Sequence, residues 1–154
     1  LIIKLIFINT FFLLSIALFV IDYKLKILPD TLTFPIGFLG LIFCTTEVSY
    51  IEAKEAILGA SIGFLVLWSV FWSYKIYTKR EGLGRGDIKL TAAIGVWVGL
   101  SNIMNVLLLA SIIGLFISTT LILLKRHTYK QTIAYGPFLI LSTFIIMIKE
   151  LMSK

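Results

Sequence analysis

The sequence predicts an all-α, polytopic membrane protein with about six transmembrane helices. Of its 154 residues, 59% are hydrophobic and only 14% are charged, whereas soluble domains average about 25% charged residues. The apolar residues form long runs that contain no charge at all. The single cysteine excludes an internal disulfide framework and a zinc site built on several thiolates. This composition excludes an ordinary soluble globule, a disordered chain and a nucleic-acid-binding domain, so the lipid bilayer is the expected surrounding and no nucleic-acid partner is expected.

The first two charge-free runs are Leu5 to Ile21 and Thr31 to Thr46. A helix needs roughly 20 apolar residues to cross a bilayer. The first run fits that length, and no A-x-A-like cleavage site follows it, so we expect a membrane span rather than a signal peptide. The second run is shorter and carries Pro35, which a helix tolerates in its first turn.

The remaining runs are Ala56 to Tyr74, Leu90 to Leu124 and Gln131 to Ile148. The run from Leu90 is too long for one span, and small and polar residues interrupt it at Gly99-Leu100-Ser101-Asn102. We therefore predict two helices there and six in all. Six spans use roughly 120 residues, which leaves no room for a separate soluble domain, so residues 1–154 are expected to form one integral-membrane domain.

The two sides of this predicted topology carry different numbers of basic residues. Ten lie on one side and four on the other. Because cytoplasmic loops carry the excess of Lys and Arg, the richer side is predicted to be cytoplasmic and both termini to lie outside. The ten are Lys24, Lys26, Lys75, Lys79, Arg80, Arg85, Lys89, Lys125, Arg126 and Lys130.

Two acids, Asp22 and Asp87, abut hydrophobic runs at similar depth on the predicted cytoplasmic side. An ionisable residue at a membrane boundary is a functional candidate because its burial is costly. Two carboxylates in one partly desolvated site share a proton, so one can accept a proton from water while the other donates to a carbonyl. The alternative is helix capping, or ion pairing with Lys24 and Lys89.

Asp30 stands in a turn, Leu28-Pro29-Asp30-Thr31-Leu32-Thr33, that precedes the second span. Its residue type and place predict a helix cap.

The segment from Glu81 to Leu90 contains Gly82, Gly84 and Gly86 directly before Asp87. Phosphate binding is excluded because no G-K-[ST] follows, and the spacing does not fit the dinucleotide pattern. We expect the glycines to supply close backbone approach and unusual φ beside the acid, where an extended peptide could pass.

Taken together, these motifs resemble the type IV prepilin peptidases, which are aspartic membrane proteases with a G-x-G-D signature. Asp22 is followed by Leu28-Pro29-Asp30, then by Gly84-x-Gly86-Asp87-x-Lys89-Leu90, and Tyr135-Gly136-Pro137-Phe138-Leu139 resembles the G-P-F element of the family. The resemblance runs from about Phe19 to Leu139.

The resemblance implies an activity and roles for individual residues. Asp22 and Asp87 match the catalytic aspartates, and Gly84 and Gly86 match the signature glycines, while Asp30 and Lys89 match supporting motif positions. The family removes the basic leader from prepilins and pseudopilins, whose hydrophobic N-terminal helix stays in the membrane. A multi-pass protein of the inner (plasma) membrane, with its active site facing the cytoplasm, is therefore expected.

The sequence departs from many bacterial members of that family in one respect. Those members carry paired C-x-x-C motifs on an N-terminal insert and methylate the new N-terminus with S-adenosylmethionine. This sequence contains neither the paired motifs nor the insert. We expect peptidase activity without N-methyltransferase activity, and neither a cofactor nor a metal.

Two other function classes remain open at this point. A small ion- or proton-coupled transporter subunit would need acids nearer the middle of a span, where the sequence has none. A non-catalytic component of a pilus or secretion assembly machine would be expected to have lost one of the aspartates or glycines, and all are present.

Overall fold

The computed structural model describes residues 2–47, 49–79, 82, 84–124 and 134–153, and every regular element in these ranges is an α-helix. The predicted all-α class is therefore confirmed. The five helices are α1 (Ile2–Leu25), α2 (Asp30–Cys44), α3 (Ala53–Thr78), α4 (Arg85–Leu123) and α5 (Gly136–Ser153).

Three helices, α1, α3 and α4, are long and apolar enough to cross a membrane, whereas α2 has only 15 residues. The count of six crossings therefore stays a prediction. Large apolar side chains such as Leu13, Phe38 and Phe116 are exposed on the outside of the bundle, as expected of a surface that faces lipid rather than water. Arg80 and the basic stretch from Lys125 to Lys130 lie outside the described residues.

Helix α4 is broken at Gly99, whose φ of 72° and ψ of 177° are not helical. This confirms the predicted interruption. An added Cβ on Gly63 of α3 would lie 3.0 Å from side-chain atoms of both Thr91 and Ile103. In a straight helix those two residues would be about 18 Å apart along the axis, so the chain reverses at Gly99. We call residues 85–98 the first arm and residues 100–123 the second arm.

The first arm lies at the centre of the bundle, and α4 packs against α2, α3 and α5. Trp97 of this arm is 1% exposed, stacks on Phe43 with ring centroids 5.5 Å apart, and packs on Phe11 at 4.6 Å. Its indole N–H donates to the backbone oxygen of Ile36 at 2.9 Å. Because the indole N–H is both buried and satisfied, these contacts fix the first arm against α1 and α2.

Two glycines let α3 approach the first arm backbone to backbone. An added Cβ on Gly59 would lie 2.5 Å from the backbone oxygen of Gly95, and Gly95 would in turn collide with the backbone of Gly59. Small residues at a helix crossing are typical of membrane bundles, where close packing replaces the hydrophobic effect as the source of helix association. The crossing fixes the first arm along its length and so sets the position of its N-terminal end.

Candidate active site

Asp22 and Asp87 both lie at the ends of long helices and are both buried. Asp22 stands in the last turn of α1 and is 4% exposed, whereas Asp87 stands in the first turn of α4 and is 6% exposed. Carboxylates are rarely buried in this way without a partner, because removing a charge from water is costly. Among the described residues, neither carboxylate forms an ion pair.

The fold brings these two aspartates together beside the start of α5. The side chains of Asp22 and Asp87 lie within electrostatic range of each other, and both lie close to the backbone of Gly136. An added Cβ on Gly136 would collide with Oδ2 of Asp22. The site therefore forms where the end of α1 and the starts of α4 and α5 meet, as a pair of carboxylates against one segment of backbone.

One oxygen of this pair, Oδ2 of Asp22, is buried and has no hydrogen-bond partner in the described part of the chain. Such an atom is costly in a structure evolved for stability alone. It supplies an acceptor that a water molecule or a peptide N–H can use. Carboxylates are among the side chains that act as general bases when the proton they remove lies within hydrogen-bond reach.

Gly84 and Gly86 allow the close approach that the sequence predicts, but their backbone conformations are ordinary. An added Cβ on Gly84 would lie 2.9 Å from Oδ2 of Asp87, and one on Gly86 would lie 2.8 Å from Cβ of Leu28. The expected unusual φ is wrong: Gly84 has an ordinary φ of −69° and Gly86 is helical. The chain enters α4 through an extended residue at the N-cap, so close approach is what these glycines provide.

Asp30 does not cap α2, which corrects the capping prediction. The helix begins at Asp30 itself, with Pro29 at the N-cap and no side-chain capping bond. The Asp30 carboxylate instead accepts hydrogen bonds from Nζ of Lys89 at 2.9 and 2.7 Å. Both side chains are about half-exposed. Lys89 is thus paired with Asp30, and the alternative in which it pairs with Asp87 is not what the structure contains.

Three residues for which the sequence predicts no role lie near the dyad, as we call Asp22 and Asp87. Leu28 packs against Gly86, and the hydroxyl groups of Ser111 and Tyr135 lie 3.1 Å apart, with Tyr135 in electrostatic range of Asp87. The Tyr-Gly-Pro-Phe motif pointed to the segment around Tyr135. No pattern pointed to Ser111, which is brought close by the reversal at Gly99. No three His, Cys, Asp or Glu side chains converge as a metal site within the described ranges.

Comparison with known proteins identifies the family of the chain. The type IV leader peptidase family matches residues 9–119 of the chain. A protein of Aeromonas hydrophila named prepilin leader peptidase/N-methyltransferase is 41% identical over 133 residues, which cover 86% of this chain and 46% of the relative. The protein of the same name from Escherichia coli K12 is 41% identical over 135 residues, covering 88% and 59%.

The match extends to more distant relatives of the same name. The protein from Stutzerimonas stutzeri is 33% identical over 133 residues, which cover 86% of this chain and 46% of the relative. The chain thus spans about half the length of the curated relatives it matches. No solved structure matches it.

Proposed function

The chain belongs to the type IV leader peptidase family, and on that premise we propose that it is a membrane aspartic endopeptidase. It removes the leader peptide from type IV prepilin-like precursors at the cytoplasmic face of the membrane. The observation that carries the proposal is the buried pair of Asp22 and Asp87, which meet beside Gly136. Burying two neighbouring carboxylates without an ion-pair partner in the described part of the chain is costly for stability, and a catalytic role accounts for that cost.

In the proposed mechanism the two carboxylates share one proton. The charged carboxylate removes a proton from a water molecule as the water oxygen attacks the carbonyl carbon of the scissile peptide bond. The protonated carboxylate gives its proton to the carbonyl oxygen, so a tetrahedral diol forms without a metal or a covalent intermediate. The carboxyl group that took the proton from water then gives it to the amide nitrogen, while the other carboxylate removes a proton from a diol hydroxyl. The C–N bond breaks, the amine and the new carboxyl group leave, and the dyad returns to its shared-proton state.

The surroundings of the dyad suit a peptide substrate. The absence of side chains on Gly84 and Gly136 leaves the space that the carboxylates of Asp87 and Asp22 occupy. Both aspartates lie at one end of the bundle, in the last turn of α1 and the first turn of α4. A precursor with a basic leader outside the bilayer and a hydrophobic helix inside it would present its cleavage site at this depth, so prepilins and pseudopilins are the proposed substrates.

Co-expression with an epitope-tagged prepilin tests the proposal. Asp22→Asn and Asp87→Asn keep the size of the side chain but remove the titrating group, and each is expected to reduce cleavage by at least about 100-fold at normal protein level. Glu47→Gln, an equivalent change at the opposite, exposed end of the protein, serves as the matched control and is expected to cleave normally. Full cleavage by either aspartate variant would contradict the proposal.

The same gels separate the proposal from its closest rival. No leader-sized shift with several prepilins, despite good expression of the unaltered protein, would favour a non-catalytic component of a pilus or secretion machine. The intact mass of any cleaved product shows in addition whether a methyl group is added, and we expect none.

A further inference from the structure

A tyrosine and a serine join the start of α5 to the second arm of α4. The hydroxyl oxygens of Tyr135 and Ser111 lie 3.1 Å apart. Ser111 donates its proton to the backbone oxygen of Leu107 at 2.8 Å. Because a hydroxyl group has a single proton, Tyr135 is the donor of the bond that the two hydroxyls share, and Ser111 is the acceptor. The phenol proton of Tyr135 is therefore committed to a helix and is not available to a substrate or to Asp87.

This contact lies close to the level of the dyad. Thr91 of the first arm and Ile103 of the second arm lie side by side, since an added Cβ on Gly63 would meet both. One helical turn further from the reversal stand Asp87 on the first arm and Leu107 on the second. Leu107 is the residue whose backbone oxygen accepts from the serine hydroxyl. The second arm therefore presents that hydroxyl within about one turn of the level of Asp87.

A second contact holds the same segment against the second arm. An added Cβ on Gly114 would lie 3.0 Å from Cδ2 of Phe138, so the phenyl ring packs directly on the helix backbone there. Gly114 stands three residues after Ser111, which places both on one face of the second arm. Tyr135 and Phe138 thus both reach this face, one through a hydrogen bond and the other through packing.

The residue next to the tyrosine is the one that meets the dyad. Gly136 directly follows Tyr135, and its backbone lies close to the carboxylates of Asp22 and Asp87. The backbone oxygen of Tyr135 also accepts a hydrogen bond from the N–H of Phe138 at 3.0 Å, which closes the first turn of α5. A displacement of the tyrosine therefore moves the start of α5, and with it the backbone that lies against the two aspartates.

We propose that Tyr135 is a positioning residue of the peptidase reaction and that Ser111 holds it in place. Its hydroxyl group contacts the second arm and not the substrate, and the bond fixes Gly136 against the dyad, so that the two carboxylates keep a constant separation. This inference rests on the proposed peptidase function. It gives the second arm, which contains no aspartate, a part in the chemistry of the first.

The kinetics of leader cleavage by the purified protein test the proposal. Tyr135→Phe removes the donor and Ser111→Ala removes the acceptor. Each is expected to lower kcat about 3- to 10-fold, the effect of one hydrogen bond, and to leave KM unchanged because neither side chain contacts the substrate. The double variant is expected to lose no more than either single one, since both changes remove the same bond. Ser111→Thr keeps a hydroxyl group and is expected to cleave like the unaltered protein.

Ser61→Ala is the matched control. Ser61 donates to the backbone oxygen of Ile57 at 2.8 Å, four residues earlier, just as Ser111 donates to Leu107, but it is exposed on α3. The control variant thus loses the same kind of bond within a helix and is expected to keep its kcat. Equal losses of kcat in Ser61→Ala and Ser111→Ala would mean a general effect on stability and would overturn the proposal.

Hydrogen exchange at the start of α5, measured by mass spectrometry without substrate, is the second readout. Exchange is expected to be faster in Tyr135→Phe and Ser111→Ala than in the unaltered protein and in Ser61→Ala. Because exchange requires no cleavage, it separates the failure of this proposal from the failure of the proposed function. Unchanged exchange in both variants would mean that the bond does not hold α5 in place.

Three kinetic outcomes would also overturn the proposal. A loss of kcat in Tyr135→Phe but not in Ser111→Ala would mean that the phenol acts on the substrate directly. A rise in KM at unchanged kcat would make the pair a substrate-binding element. Additive losses in the double variant would mean that the two side chains act independently of each other.

Discussion

Gly136 brings two carboxylates against one stretch of backbone, and its lack of a side chain leaves the space that Asp22 occupies. The backbone of Gly136 interacts with Asp22 and with Asp87. Any larger residue would push one carboxylate away from the other. At the scale of single residues, the geometry of the dyad therefore depends on a position that carries no chemistry of its own.

Gly136→Ala is expected to reduce leader cleavage by about 100-fold, because a displacement of about 1 Å at a reacting group has an effect of that size. Cleavage of a tagged prepilin, normalised to protein level, measures it. Gly37→Ala is the control, since its added Cβ would make only an ordinary contact of 3.6 Å with Cβ of Ala93. Undiminished cleavage by Gly136→Ala would show that the close contact at Asp22 does not matter.

The ion pair between Asp30 and Lys89 is about half-exposed on both sides, and exposed pairs contribute little to stability. Asp30→Asn and Lys89→Gln are each expected to lower the free energy of unfolding by less than about 1 kcal/mol. Chemical denaturation in detergent measures this, and the double variant should lose little more than either single one. A loss of cleavage as large as that of Asp87→Asn, at unchanged stability, would instead place the pair in the catalytic machinery.

At the scale of elements, the reversal within α4 makes one apolar run into two antiparallel arms. The φ of 72° and ψ of 177° at Gly99 belong to a region of backbone space that is essentially restricted to glycine. Space is not the limit there, since an added Cβ would come no closer than 3.4 Å to Ile51. The reversal therefore depends on backbone conformation and not on packing.

Gly99→Ala is expected to lower the free energy of unfolding by about 1–3 kcal/mol, the typical cost of such a conformation in a residue with a side chain. The midpoint of chemical denaturation in detergent measures the change. Gly37→Ala is again the control and is expected not to lower stability. Alanine favours a helix over glycine by about 0.8–1 kcal/mol, and the site has room for the added Cβ. Equal stability of the Gly99→Ala variant would mean that the two arms can meet through another backbone conformation.

At the scale of the whole molecule, the two ends of the bundle differ in chemistry. One end carries the buried aspartates, the Asp30–Lys89 pair and a cavity lined in part by Lys75 and Arg85. The other end holds the reversal at Gly99 and a cavity of about 220 Å³ lined in part by Glu52, Glu55 and Glu150. Because cytoplasmic loops carry the excess of Lys and Arg, we expect the end with Lys75 and Arg85 to face the cytoplasm.

Cysteine labelling in intact cells tests this orientation. In a Cys44→Ala background, which removes the chain's one native thiol, Lys54→Cys is expected to react with a membrane-impermeant maleimide added outside. Lys24→Cys is expected to react only after the membrane is permeabilised. The reverse pattern would invert the topology and place the aspartates outside.

The sequence predicts most of the fold because charge-free runs and helix-breaking residues are local signals. The interruption at Gly99 was predicted from its small and polar neighbours, and the five helices overlap the predicted runs. The helices extend past those runs at several ends, as α1 does through Lys24 to Leu25, because an end that projects toward water can carry charges. Long side chains such as that of Lys24 then reach the interface.

The candidate site was predictable only where a motif marks it. Asp22 and Asp87 were found as boundary acids, and the Gly-Pro-Phe motif marked Gly136 without indicating that it contacts both of them. The pairing of Asp30 with Lys89 joins residues 59 positions apart, and no local pattern reports such a contact. The backbone of Gly84 was mispredicted because a glycine signals either positive φ or close approach, and only the neighbouring atoms decide between the two.

The first arm of α4 has a consequence for how the protein enters the membrane during synthesis. Its fourteen residues, 85–98, rise about 21 Å, which is less than the roughly 30 Å of a bilayer core, and they begin with Arg85, Asp87 and Lys89. Such a segment is a poor substrate for insertion by itself. We expect it to be inserted together with the longer, charge-free second arm as a helical hairpin, so that the helix carrying Asp87 reaches its place only after the chain beyond Gly99 has been made.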